Sequence, residues 1–109
     1  MDISLTGVKV ELTPAMEEYI YKKLAKLEKL YPKLLKCQVI VKQERYLWHT
    51  EMNLEVKGSS LHAKGEGEDF RSAVDEAKSK ITRQLKSFKG KRVSQHHREN
   101  ARYELGAVK

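Results

Sequence analysis

Polar and apolar residues alternate over positions 2–6, with Ile3 and Leu5 on one side, and this period of two predicts a short strand. A connection over 7–12 leads to Thr13-Pro14, a helix start. The threonine hydroxyl can cap, and the missing proline N–H has no partner at a first helical position anyway. Glu17 and Glu18 follow, placing negative charge near the positive end of the helix dipole. Met16, Ile20, Leu24, Leu27 and Tyr31 then fall within roughly 80° of one another at about 100° per residue, which predicts a core-facing stripe. Pro32 marks the end of this helix. Lys22, Lys26 and Lys29 occupy a second band, about 60° wide and well away from the stripe.

Positions 36–43 read as a strand with Cys37, Val39 and Val41 on one side. Positions 47–57 alternate more cleanly: Trp48, Thr50, Met52, Leu54 and Val56 face one way, and His49, Glu51, Asn53, Glu55 and Lys57 the other. Glu44-Arg45-Tyr46 is the expected hairpin loop between them. After a turn at Gly58-Ser59, Leu61 and Ala63 alternate with His62 and Lys64 in a further strand. Gly65-Glu66-Gly67-Glu68 is expected to break that strand and lead to a second helix capped by Asp69. Phe70, Val74, Ala77, Ile81, Leu85 and Phe88 form its apolar stripe, and Gly90 is its expected end. The order is β-α-β-β-β-α. Each strand of the meander has one apolar face, so both helices are expected on one side of a four-stranded sheet, an α+β two-layer sandwich. The division expected is a domain over 1–92 and a mobile, polar tail over 93–109.

Charge adds a direction to this plan. The net charge is +7. Residues 77–109 carry ten basic and two acidic side chains, whereas 1–76 are close to balance, and no carboxylate occurs from Ala77 to Arg98. A surplus placed this way favours a polyanionic partner, nucleic acid above all. No run of 18 apolar residues exists, so no membrane span is expected, and the first residues lack a signal-peptide pattern. With a lone Cys37, no internal disulfide is expected, which points to the cytoplasm.

Catalytic chemistry is not legible. His49 and His62 are candidate cross-strand neighbours on the wet sheet face, but no histidine has metal-ligand spacing, and His96 and His97 are adjacent. Gly65-Glu66-Gly67 lacks the glycine and lysine of a phosphate loop. No enzyme, metal or cofactor is therefore expected. An RNA-stacking sheet needs exposed aromatics, and His49, Glu51, Asn53 and Glu55 are wrong for it. No two glycines have the spacing of a KH clamp. The basic surface lies on the helices, where Lys78, Lys80, Arg83, Lys86 and Lys89 surround much of the second, with Lys91 and Arg92 after Gly90. Long cationic side chains suit phosphate contact rather than base readout. The expected ligand is structured RNA.

Leu12-Thr13-Pro14-Ala15, Lys23-Leu24-Ala25-Lys26-Leu27-Glu28-Lys29, Glu68-Asp69-Phe70, Ala73-Val74-Asp75 and Lys80-Ile81-Thr82-Arg83-Gln84-Leu85 resemble the bacterial family of ribosome hibernation-promoting factor and protein Y. The resemblance covers about residues 1–92. It implies the same β-α-β-β-β-α fold, like that of double-stranded-RNA-binding domains. It further implies binding to the small ribosomal subunit, on 16S rRNA in the decoding channel, with messenger RNA and A- and P-site transfer RNA excluded and the 70S ribosome idled. By position, the resemblance marks Lys23, Lys26, Lys29, Lys80 and Arg83 as rRNA-binding, and less strictly Lys86, Lys89, Lys91 and Arg92. Lys22 joins them on the helical-face argument. Long members add a domain that pairs ribosomes, so the chain looks like a short form or a piece of a long one. The competing expectation is a general structured-RNA-binding protein or a transcription regulator.

Overall fold

A computed structural model of the chain describes the backbone of residues 1–97 and the side chains of residues 1–88. The elements are β1 (Asp2–Val8), α1 (Pro14–Leu30), β2 (Leu34–Glu44), β3 (Leu47–Val56), β4 (Ser59–Gly67) and α2 (Phe70–His97). The sheet order is β1-β2-β3-β4. β2, β3 and β4 are antiparallel neighbours, while β1 lies parallel to β2, with Ile3 opposite Cys37 and Leu5 opposite Val39. A parallel pair cannot be joined by a tight turn, and α1 supplies the crossover.

The expected α+β sandwich is the observed one. The Thr13 hydroxyl accepts from the Met16 N–H at 3.2 Å, and the Thr13 N–H in turn reaches the Met16 thioether. This is a capping box with sulfur in place of a carboxylate. An isolated helix of 17 residues is marginal in water. Its burial of Ile20, Leu24 and Leu27 supplies the missing stability, roughly 2 kcal/mol for each side chain. Asp69 caps α2 by accepting the Ser72 N–H at 2.8 Å. That bond holds its carboxyl below the ordinary aspartate value. Val74, Ala77, Ile81 and Leu85 meet the α1 residues and the inward side chains of β2, β3 and β4 in one cluster. Both helices thus cover one sheet face.

Three expectations are corrected. β4 does not break at Gly65 but runs on to Gly67. The glycines are there because α2 crosses the strand at close range. A Cβ on Gly65 would stand 2.4 Å from the Ala73 carbonyl oxygen and 2.4 Å from the Ala77 nitrogen, and one on Gly67 would stand 2.8 Å from the Ala73 nitrogen. α2 does not stop at Gly90 but continues to His97. A glycine inside a helix costs only about 1 kcal/mol, and no proline follows it. The expected tail starts within this helix, and residues 98–109 lie outside the described residues. Finally, His49 and His62 are not partners: His49 lies opposite Glu66 and His62 opposite Asn53.

α2 also closes part of the outer edge of β4. The Gln84 side chain accepts from the His62 N–H at 3.3 Å and donates to the His62 carbonyl at 2.6 Å. Glu76 accepts from the Glu66 N–H at 2.6 Å.

Candidate nucleic-acid interface

α1 and α2 lie side by side and run in the same direction. Near their starts Tyr19 packs on Phe70, with ring centroids 5.9 Å apart. Near the end of α1, Tyr31 meets Phe88 edge to face, also at 5.9 Å. Between these aromatic contacts the outer sides of the helices form an open cleft. It is lined by Lys23 of α1 and by Asp75, Lys78, Ser79, Thr82, Arg83 and Lys86 of α2.

The cleft is a cluster of cations around one carboxylate. Lys23 Nζ lies 3.3 Å from Asp75 Oδ1, and the Tyr19 hydroxyl donates to the same oxygen at 2.6 Å. Two cations lie over the Tyr19 ring, Lys23 Nζ and the Arg71 guanidinium, each 5.1 Å from its centroid. Partial burial pulls the Lys23 ammonium down, but the hydrogen bond and charge of Asp75, helped by Tyr19, carry it above the ordinary lysine value. Lys78 behaves oppositely. Burial lowers it, and repulsion from Lys26, Lys23 and Lys86 lowers it further, against the attraction of Asp75. The cations of α1 and α2 are therefore close enough to feel one another, a state that an incoming anion relieves.

The expected site residues divide by position. Lys26 and Lys23 from α1 act on Lys78, and Arg83 and Lys86 share its cleft. Lys22 and Lys29 are exposed on α1. Lys80 is exposed but lies outside the cleft, one helical turn before Gln84 on the side of α2 that faces β4. Lys89, Lys91 and Arg92 belong to the backbone of α2, and their side chains lie outside those described. Asp75, Tyr19 and Arg71 were not legible as site residues. The i, i+3 spacing of Asp75 and Lys78 was visible, but the register between the two helices was not.

The opposite sheet face carries charges of both signs, and several of its polar side chains pair with one another. Asn53 donates to Gln38 at 3.3 Å and also meets the His62 ring. His62 and Lys64 approach Glu51, and His49 approaches Glu66 at 3.3 Å. Trp48 packs edge to face on Phe70, which sits at the start of α2 on the helix side of the sheet. Among the described residues, no three His, Cys, Asp or Glu side chains gather as a metal-binding group. Burial pushes the Cys37 thiol up to about 12, which leaves it a weak nucleophile. Within the described residues no helix is long and apolar enough to cross a membrane.

Fold and charge together define a two-layer α+β domain with its cations gathered along two parallel helices. Residues 3–93 match the family described as sigma 54 modulation protein / S30EA ribosomal protein, and the chain belongs to that family. It is 35% identical over 96 residues to a ribosome hibernation promoting factor from Klebsiella oxytoca, covering 88% of this chain and all of that one. Among solved structures it is similar to a ribosomal subunit interface protein from Coxiella burnetii, with a TM-score of 0.78 and 27% identity over 83% of this chain and 99% of the other. It is similar also to the N-terminal domain of Thermus thermophilus Protein Y, with a TM-score of 0.75 and 28% identity over 81% of this chain and 99% of that one.

Proposed function

We propose that this protein is a ribosome hibernation factor that binds the small ribosomal subunit through 16S rRNA and inhibits translation by occupancy. The observation that carries this reading is the convergence of Lys78, Arg83 and Lys86 on one cleft between the two helices, with Lys26 of α1 close enough to act on Lys78. Rows of cations on a folded scaffold suit contact with the phosphates of structured RNA without reading bases. The relatives named as ribosome hibernation promoting factor and ribosomal subunit interface protein support the choice of ribosomal over other RNA. Lys22 and Lys29 extend the cationic surface along α1, and Lys80 extends it around α2. Lys89, Lys91 and Arg92 extend the basic run along the chain.

The proposed seat is the decoding channel, where a body of this size excludes messenger RNA and A- and P-site transfer RNA. Such a plug needs no turnover and no cofactor, and its work is cytoplasmic. Inhibition of cell-free translation should saturate near one protein per small subunit, and prebound messenger and initiator transfer RNA should slow association.

The test is sedimentation with ribosomes on sucrose gradients. The chain should co-migrate with small subunits and whole ribosomes. Lys26→Glu with Arg83→Glu should abolish this, since both side chains are exposed and each change sets repulsion against phosphate. Glu51→Lys with Glu55→Lys on the sheet face should not. With roughly six phosphate contacts, affinity should fall about 10³-fold between low and moderate salt. Migration with free RNA or with polymerase alone would replace this reading with a general RNA-binding or transcriptional one.

A further inference from the structure

We infer that Asp75 is a built-in competitor for RNA phosphate: it holds Lys23 as an internal ion pair, so that the cleft takes phosphate at its Lys78–Arg83–Lys86 end and rejects it at the Lys23 end. The inference rests on the reading of the cleft as an RNA-binding surface and names what limits that surface.

The geometry is specific to this carboxylate. Asp75 is the only acidic side chain among the described residues lining the cleft. It is not buried away from the ligand, since its side chain is 49% exposed. A phosphate entering beside it meets a like charge in water-accessible space. Lys23 is the opposite case, with a side chain only 25% exposed. Its ammonium is held at 3.3 Å by Asp75 and faces the Tyr19 ring. Tyr19 fixes the other side of the arrangement by donating to Asp75 at 2.6 Å, so the carboxylate cannot swing aside without breaking two contacts. Lys23 is therefore spent inside the protein, whereas Lys78, Arg83 and Lys86 have no ion pair with a carboxylate among the described residues within the same cleft. A surface of cations alone binds any RNA. One fixed negative charge within it penalises every backbone that does not steer its phosphates around that point, which converts affinity into selectivity.

The experiment compares two probes, purified small ribosomal subunits and a short RNA duplex of unrelated sequence, across a salt series with the full chain. Asp75→Asn keeps the acceptor for Tyr19 and removes the charge. It should tighten duplex binding roughly fivefold at low salt. The slope of log affinity against log salt should steepen by about 0.9, the signature of one added phosphate contact. Affinity for small subunits should rise less, so the ratio between the two probes falls. Asp75→Ser, equally neutral, should give the same shifts if the asparagine variant does not fold. Asp75→Asn with Lys23→Gln should return both affinity and slope to those of the parent, because the pair is neutral as a unit. Tyr19→Phe, which loosens the same helix contact without altering charge, should leave the slope unchanged. Asp75→Asn binding no tighter than the parent, with the same slope, overturns the inference. So does a double variant that binds far more weakly, since Lys23 would then touch phosphate itself. Unchanged binding in Arg83→Glu with Lys86→Glu would instead remove the cleft as the interface, and the inference with it.

Discussion

The Tyr19 hydroxyl donates to Asp75 Oδ1 at 2.6 Å, across 56 positions of sequence. This bond joins the second turns of the two helices at the point where their cations begin to converge. Tyr19 also packs on Phe70, and Phe70 on Trp48 of β3, so the bond is anchored to the sheet through a run of rings. The register of α1 on α2, and with it the spacing of the basic rows, is set by this contact and by the one between Tyr31 and Phe88.

Lys78 trades stability for binding. Burial and the charges of Lys26, Lys23 and Lys86 hold its ammonium below the ordinary lysine value, so keeping that charge costs the fold stability. Lys78→Met should raise Tm at low salt by up to about 4 °C. The gain should shrink as salt screens the repulsion. The same variant should weaken association with ribosomes, read by sedimentation.

Alkaline pH should act on the Asp75 contact. The Tyr19 phenol is raised above 10.0 by burial, then by the hydrogen bond and charge of Asp75. Lys23 is raised above 10.5 because Asp75 and Tyr19 outweigh its burial. Both groups are held protonated in the fold. Their contribution is complete below the unfolded values and is lost as pH rises through the raised ones. Thermal melts should therefore show a fall in Tm above roughly pH 10 that is shallower in Tyr19→Phe with Lys23→Gln.

Gly65 and Gly58 should respond to alanine for different reasons. Alanine at Gly65 drives a methyl into the backbone of α2, 2.4 Å from two of its atoms, and α2 must lift from β4. The loss should be roughly 3 kcal/mol or more. At Gly58 nothing lies within 4 Å, but φ is +83°, so the loss should be about 1 kcal/mol from backbone strain. Urea unfolding midpoints separate the two.

Thr50 is the one polar residue among the buried side chains of the described chain, 1% exposed, and its hydroxyl has no hydrogen-bond partner there. Thr50→Val keeps the shape and removes the unsatisfied group. It should stabilise the fold by about 1 kcal/mol, read as a higher urea midpoint with an unchanged slope.

Where one element decides a residue's surroundings, the chain is readable by eye. Trp48 through Val56 alternates because β3 has one covered face, and Met52, Leu54 and Val56 are buried as the period requires. Thr13 and Asp69 cap the helices through bonds only three residues long. Reading fails where the cause lies on another element. Gly65 looks like a strand breaker until α2 is laid across it. Gly90 looks like a helix end because local propensity disfavours it, while the helix continues. The basic residues were visible as a surplus of charge, but the carboxylate that divides them was not, since the pairing of Asp75 with Lys23 depends on how two distant helices register.

The bonds from Gln84 to His62 and from Glu76 to Glu66 have a consequence for the protein at high concentration. A strand approaching β4 finds the His62 amide and carbonyl and the Glu66 amide already engaged. β1 is the other outer strand of the sheet. Growth of a fibre by strand addition needs two receptive edges on every unit, one to join and one to be joined. With those groups on β4 engaged, strand-to-strand growth is disfavoured on that side of the sheet.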